Sequence, residues 1–217
     1  MAGLAARAVA AAGAVAALLV AAAASPAAAL ERHLVTYGSA VKLASTQHAF
    51  NLHSHEISYG SGSGQQSVTG TANEGDEEDL WMIKPVEGSS IESGEPLTHN
   101  SEFRLMHASS KKWLHSHNFQ SPLSNQQEVS CHGDHDNSDA NDVWRLVMDP
   151  NSKWKQESKV HIQHVATNAY LSMTSRRFGR PISGQLEVVG SRGHSVDSNW
   201  KATEGIYVPK PTPASEL

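Results

Sequence analysis

The feature that most constrains the fold of this 217-residue chain is a segment that occurs three times. The tetrapeptide Leu-His-Ser-His occurs at 52–55 and at 114–117, and the residues before the two copies align without a gap. A third segment, which starts at Val160, fits the same frame. Each copy contains a Ser-Gly-Gln or Ser-Asn-Gln triplet and ends with a tryptophan: 63–65 and Trp81, 124–126 and Trp144, 183–185 and Trp200. So many shared spacings indicate three copies of one structural unit.

Each unit has the pattern of short β-strands. Apolar and polar residues alternate with period two at 41–43, 103–105 and 160–162, as they do in half-buried strands. Gly, Ser, Asn and Pro separate the apolar pieces, which is the composition of turns. Four strands per unit predict an all-β domain of about twelve short strands.

The three units are expected to share one core, because a single unit cannot bury its apolar face alone. Closure around a pseudo-threefold axis removes exposed sheet edges, and this predicts a single β-trefoil. An open row of three units, which leaves two unprotected ends, is the second alternative. The predicted core consists of repeated leucines and tryptophans: Leu52, Leu114, Leu171, Trp81, Trp144 and Trp200.

The chain begins with an alanine-rich apolar run that ends in small residues, and this predicts a signal peptide cleaved after Ala29. A membrane anchor is the alternative. The predicted domain spans 30–208, and the segment 209–217 is a flexible tail. Its repeats are expected at about 35–88, 96–150 and 154–208. No second apolar run is long enough for membrane insertion, and a net charge of −5 disfavours nucleic acid as a partner.

The paired histidines resemble half of a zinc site. The pairs are His53 with His55 and His115 with His117. The third unit has Ser172 and Thr174 at these positions, and equivalent positions of a threefold fold lie on separate lobes, so we predict no metal. The histidines are instead expected to mark a repeated structural corner and to satisfy turn backbone groups. They are also candidates for contact with a ligand or partner, together with Gln65, Gln126 and Gln185.

Catalytic and cofactor-binding patterns are weak. Calcium ligands are conceivable in the acidic loop 132–142, from Asp134, Asp136, Asp139 and Asp142, but the spacing does not match an EF-hand. A solvated loop, to which a basic or peptide partner could dock, is favoured. Cys131 is the only cysteine, so it is either buried or a partner-linked thiol, with a thiolate nucleophile less favoured. We therefore predict a protein that is not an enzyme and needs no cofactor.

Several stretches together resemble the stromal cell-derived factor 2 family. They are LHSH, YGSGSGQQSVTG, LHSHNFQSPLSNQQEVS, GRPISGQLEV and NWKATEGIYV, and the resemblance covers 35 to about 208. It implies three MIR motifs, a β-trefoil and a non-catalytic role in the endoplasmic reticulum. Family members associate with a lumenal J-domain co-chaperone and Hsp70 in protein quality control, limit aggregation of misfolded clients and take part in the stress response. Because protein O-mannosyltransferases contain the same fold, O-mannosylated clients are also implied.

Two departures from the family and one alternative remain. The end Ala214-Ser215-Glu216-Leu217 keeps only part of a retrieval signal, so some secretion is expected beside residence in the lumen. Better-known relatives carry enough cysteines for a disulfide, which this chain cannot form. The alternative function is a carbohydrate-binding trefoil, since 79–81 and 142–144 resemble the Gln-x-Trp triplet of ricin-type lectins, from which 198–200 departs further.

Overall fold

The computed structural model describes residues 34–73 and 75–210. The predicted signal peptide and the retrieval-like C-terminus lie outside these residues. Within them the protein is all-β, with twelve strands, as predicted. No helix that is long and apolar enough to cross a bilayer occurs in the same two ranges.

The strands fall into three groups of four. They are β1 (Ala40–Ser45), β2 (Asn51–Ser58), β3 (Gln66–Thr71), β4 (Leu80–Lys84), β5 (Glu102–His107), β6 (Trp113–Gln120), β7 (Gln127–His132), β8 (Trp144–Val147), β9 (His161–His164), β10 (Tyr170–Arg177), β11 (Leu186–Ser191) and β12 (Trp200–Ile206). A short 3₁₀ helix precedes the last strand of each group: η1 (Glu77–Asp79), η2 (Ala140–Asp142) and η3 (Val196–Ser198). The same order of elements thus recurs three times along the described residues.

The turn that joins the first two strands of each repeat has one conserved geometry within the molecule. Ala49, Lys111 and Asn168 occupy equivalent positions and have φ values of 55°, 58° and 60°. In each turn the amide of this residue donates to a carbonyl four residues earlier, at 3.0, 3.0 and 2.9 Å. The left-handed conformation is thus a property of the turn and tolerates alanine, lysine or asparagine.

Equivalent strands pair in equivalent ways. The second and third strands of each repeat form an antiparallel hairpin: β2–β3, β6–β7 and β10–β11. The strands β3, β7 and β11 also pair with one another, each with both others. Successive repeats are joined by β4–β5 and β8–β9, and β12 returns to pair with β1. Because the third repeat closes onto the first, the open-row alternative is wrong.

The core lies where the three repeats meet. The six residues predicted for it, Leu52, Leu114, Leu171, Trp81, Trp144 and Trp200, each have 0% exposed surface. Each tryptophan Nε1 donates to the carbonyl of the leucine in its own repeat, at 2.9, 2.9 and 2.8 Å in repeat order. The indole therefore fills the core and also bonds a backbone carbonyl within its own repeat.

Candidate functional site

Two of the repeated histidines are internal bridges. His53 Nδ1 donates to Asp79 Oδ1 at 2.9 Å, and His115 Nδ1 donates to Asp142 Oδ1 at 2.8 Å. All four side chains are buried, and the bonds join the second strand of a repeat to its 3₁₀ helix. We assign no partner contact to His53 or His115, because burial places them inside the fold rather than on a face that a partner could reach.

One group of possible metal ligands is present among the described residues. It consists of His115, Asp139 and Asp142, whose ligand atoms lie within 4.8 Å of one another. Both carboxylates also have structural partners: Asp142 Oδ2 accepts from Ser138 Oγ at 2.8 Å and from the Asp139 amide at 2.7 Å, and Asp139 caps η2. The absence of a functional metal thus remains a prediction. Of the other two acids considered for calcium, Asp134 accepts from amides of its own loop, and Asp136 contacts the exposed His135.

The remaining pair, His55 and His117, lies nearer the surface and differs between repeats. His117 Nε2 donates to Glu128 Oε1 at 3.1 Å. His55 occupies the equivalent place, but the residue equivalent to Glu128 is Ser67, whose hydroxyl donates to the Ile57 carbonyl. Burial lowers the pKa of His55, so this imidazole stays neutral at neutral pH. The two Leu-His-Ser-His copies are therefore not chemically equivalent.

Two fully buried glutamates were missed by sequence reasoning. Glu128 accepts from the Ser63 amide at 3.3 Å and also from the Ser63 hydroxyl, while Glu187 accepts from the Leu123 and Ser124 amides at 2.9 and 3.0 Å. Each carboxylate thus holds the triplet turn of the preceding repeat. The signal was the Glu-Val pair at equivalent positions of the second and third repeats, where the first repeat has Ser-Val.

The three glutamines of the triplets differ in their contacts. Gln65 Oε1 accepts from Ser130 Oγ at 2.5 Å, and Gln185 Oε1 accepts from the Thr69 hydroxyl. The residue equivalent to Ser130 and Thr69 in the third repeat is Val189, which offers no hydroxyl, and Gln126 is exposed. Gln126 therefore presents its carboxamide to solvent, whereas the other two join neighbouring repeats.

A third set of histidines, also missed from the sequence, lies at the junctions between repeats. His107 Nε2 donates to the Glu78 carbonyl at 2.9 Å, and His164 Nε2 donates to the Asn141 carbonyl at 2.9 Å. At the junction between the third repeat and the first, His48 Nε2 lies 3.2 Å from Asp197 Oδ1. Burial lowers the pKa of His107 and of His164, so both are neutral bridges.

Cys131 lies in β7 and is 1% exposed. Burial raises the pKa of its thiol to about 12. A disulfide with another chain requires an accessible sulfur, and a nucleophile requires the thiolate, so the structure contradicts the partner-linked and nucleophilic readings of this residue. The remaining alternative, a buried structural cysteine, fits its place in the hydrophobic core.

A cleft of about 950 Å³ lies between the second and third repeats. It is bounded by the end of β6, the turn at 125–127, the turn at 166–169 and the end of β11. A smaller cleft of about 420 Å³ lies between the first and second repeats, in the equivalent place. The polar residues of the larger cleft include Gln126, one of the predicted contact residues.

Comparison with known proteins identifies the family. The MIR domain family matches residues 50–199. A stromal cell-derived factor 2-like protein of Arabidopsis thaliana is 45% identical over 176 residues, which are 81% of each chain. The chain belongs to the stromal cell-derived factor 2 family. Human stromal cell-derived factor 2 is 43% identical over 175 residues, 81% of this chain and 82% of its own. Both of these relatives are named as factors and not as enzymes.

Solved structures agree with this assignment. The crystal structure of the SDF2-like protein from Arabidopsis thaliana has a TM-score of 0.80 at 44% identity and covers 81% of this chain and 98% of its own. A protein O-mannosyltransferase complex of S. cerevisiae bound to the sugar donor has a TM-score of 0.71 at 26% identity. That match covers 84% of this chain and 28% of the larger one. The fold of this family member is thus similar to one part of a glycosyl-transfer complex.

Proposed function

We propose that this family member is a non-catalytic binding module of the endoplasmic reticulum lumen. In this role it acts in protein folding quality control with a J-domain co-chaperone and the lumenal Hsp70, limits aggregation of misfolded clients and supports the stress response. The observation that carries the proposal is the 45% identity to a stromal cell-derived factor 2-like protein over 81% of the chain. The signal peptide 1–29 and partial retrieval by the C-terminus belong to the same proposal.

We infer that the fold is a single β-trefoil of three MIR repeats at about 35–88, 96–150 and 154–208. The inference is supported by the mutual pairing of β3, β7 and β11 and by the return of β12 to β1. Closure of the third repeat onto the first leaves no unpaired end strand for a partner to extend. Partners are instead expected to contact side chains of the turns and of the clefts between repeats.

The contact residues that fit this proposal best are those with exposed polar surface. Gln126 is exposed, and His117, Gln65 and Gln185 are partly exposed. His55 is also partly exposed, but its Nε2 is buried. Among these, Gln126 has its carboxamide free of any hydrogen bond to the described residues. It is therefore the residue whose replacement tests partner contact with the smallest effect on folding.

The test is reconstitution with defined partners. The protein purified from secretory cells is mixed with a purified lumenal J-domain co-chaperone and Hsp70, and complexes are measured by size-exclusion chromatography with light scattering. We expect a stable complex with the co-chaperone, slower aggregation of a reduced client, and weaker complex formation for Gln126→Ala with unchanged thermal unfolding. The absence of any complex at micromolar concentration would refute the chaperone role.

A second candidate function is recognition of O-mannosylated proteins. Its support is the similarity to the O-mannosyltransferase complex bound to the sugar donor. The lectin-like triplets at 79–81 and 142–144 provide no support, because Asp79, Trp81, Asp142 and Trp144 are buried. Sugar recognition therefore needs a different site from the one that those triplets indicated.

A further inference from the structure

Three equivalent places exist where the triplet turn of one repeat faces the first turn of the next. At the closing junction this place is filled by the protein itself, because the Arg177 guanidinium lies 5.3 Å from the centroid of the Phe50 ring. Between the first and second repeats, Lys112 and Cys131 occupy part of the space. Between the second and third repeats the equivalent residues are Ala169 and Gly190, which are small. The larger cleft is thus open because its side chains are short.

The lining of this cleft is rich in side-chain carboxamides that make no hydrogen bond to the described residues. Asn118, Asn125, Gln126 and Asn168 are exposed, and no hydrogen bond joins their side chains to any residue in the described ranges. Gln127 differs, since its amide donates to Ser116 Oγ at 2.7 Å and to Thr167 Oγ1 at 2.8 Å and so fixes the cleft floor. A carboxamide offers two donors and one acceptor oxygen, which matches hydroxyl groups that both donate and accept.

Charge and shape narrow the class of ligand. The one charged residue of the lining is Arg192, so the cleft provides no carboxylate for a cation. Phe119 is 51% exposed at its rim, and its ring packs on His117 at a centroid distance of 4.7 Å. An exposed aromatic face beside carboxamides can pack against the C–H face of a sugar ring while the amides bind its hydroxyls.

An extended peptide fits this cleft less well. β11 is paired with β10, β3 and β7, whereas β6 is paired with β7 and meets β5 only at Trp113. Strand addition uses backbone groups, whereas the exposed groups of the cleft are side-chain carboxamides, which favour a ligand bound by side chains.

We propose that the cleft between the second and third repeats binds a neutral glycosyl group through Asn118, Gln126 and Asn168, with Phe119 packing on the sugar ring. This proposal deepens the second candidate function and rests on it. Gln126 is also the proposed partner contact, so the test uses other residues of the cleft. It also assigns one glycosyl site per chain at this cleft, because Arg177 and Lys112 occupy the equivalent places.

The other repeats supply the variants that test the proposal. Asn168→Ala introduces the residue that the first repeat has at the same left-handed position, Ala49, so the turn is expected to be preserved. Ala169→Lys introduces the residue of the second repeat, Lys112, and fills the cleft. The matched control is Lys111→Ala, which makes the same kind of change at the equivalent position of the smaller cleft.

The probes are the methyl α-glycosides of mannose, glucose, galactose and N-acetylglucosamine, measured by saturation-transfer NMR and by calorimetric titration against protein from secretory cells. We expect saturable binding of at least one probe. Asn168→Ala should lower the affinity for that probe roughly tenfold, because it removes about one hydrogen bond, and Ala169→Lys should abolish binding. Lys111→Ala is expected to bind as the unmodified protein does.

No saturable binding of any probe would overturn the proposal, and so would binding that both cleft variants leave unchanged. Thermal unfolding of each variant shows whether it is folded. If the Ala169→Lys variant does not fold, the Asn168→Ala variant still tests the proposal. Complex formation of the same variants with the co-chaperone separates the two functions. A variant that loses sugar but keeps the co-chaperone supports the glycosyl site, whereas failure of the unmodified protein to bind the co-chaperone contradicts only the chaperone role.

Discussion

The pair formed by His115 and Asp142 is expected to be worth about 2 kcal/mol of stability. Both residues are buried, and their hydrogen bond is 2.8 Å long. Replacement of one partner leaves a charged or polar group buried without its bond, which costs about 1–3 kcal/mol. His115→Ser should therefore lower the free energy of unfolding by about 2 kcal/mol, which for a domain of this size corresponds to roughly 4–8 °C in Tm.

The third repeat shows how the same corner is built without the pair. It has Ser172 and Ser198 at the equivalent positions, and Ser198 Oγ accepts from the Ser195 amide at 2.9 Å. The double variant His115→Ser, Asp142→Ser therefore reproduces a combination that the fold already contains. We expect it to be more stable than the sum of the two single changes predicts, with a coupling free energy of at least about 1 kcal/mol.

The assay is urea unfolding followed by tryptophan fluorescence, applied to the two single variants, the double variant and the unmodified protein. The four free energies of unfolding form a double-mutant cycle. Additivity within about 0.5 kcal/mol would show that the two side chains do not stabilise each other and would refute the reasoning. His135→Ser is the control, because that imidazole is exposed and should leave stability unchanged.

Three further outcomes are expected. Trp144→Phe should lower the free energy of unfolding by about 2–3 kcal/mol in the same urea assay, because it removes the donor to the Leu114 carbonyl and part of the core. Stability should fall as pH drops below about 6.5, because unfolded histidines bind protons there while burial keeps the pKa of folded His107 and His164 lower; a urea midpoint that is equal at pH 7.5 and pH 5.5 would contradict this. Cys131 should react with a thiol reagent such as DTNB only after unfolding, and rapid reaction of the native protein would contradict its burial.

The repeat pattern predicted the strands well because strand alternation and turn composition are local properties. The position of each tryptophan at the end of a repeat indicated the core correctly, since a large apolar side chain at three equivalent positions has few other places to lie. The closure of the third repeat onto the first was expected because it removes two exposed sheet edges. The pairing of β12 with β1 confirms this closure.

The histidines were harder to interpret. The sequence shows two identical Leu-His-Ser-His segments but does not show that His53 and His115 meet Asp79 and Asp142, which are more than twenty residues away. The partners of a polar side chain are set by contacts between distant strands. The same limit applies to Glu187, whose carboxylate holds a turn of another repeat.

The number of repeats, the all-β class, the turns and the buried leucines and tryptophans were determined by the sequence alone, because each depends on spacing within one unit. The tertiary structure decided which histidines are buried, that Cys131 is inaccessible, and that one cleft is open while its equivalent holds Arg177 over Phe50. These features depend on which side chains of different repeats come together. Small differences such as Ala169 in place of Phe50 then determine the space between them.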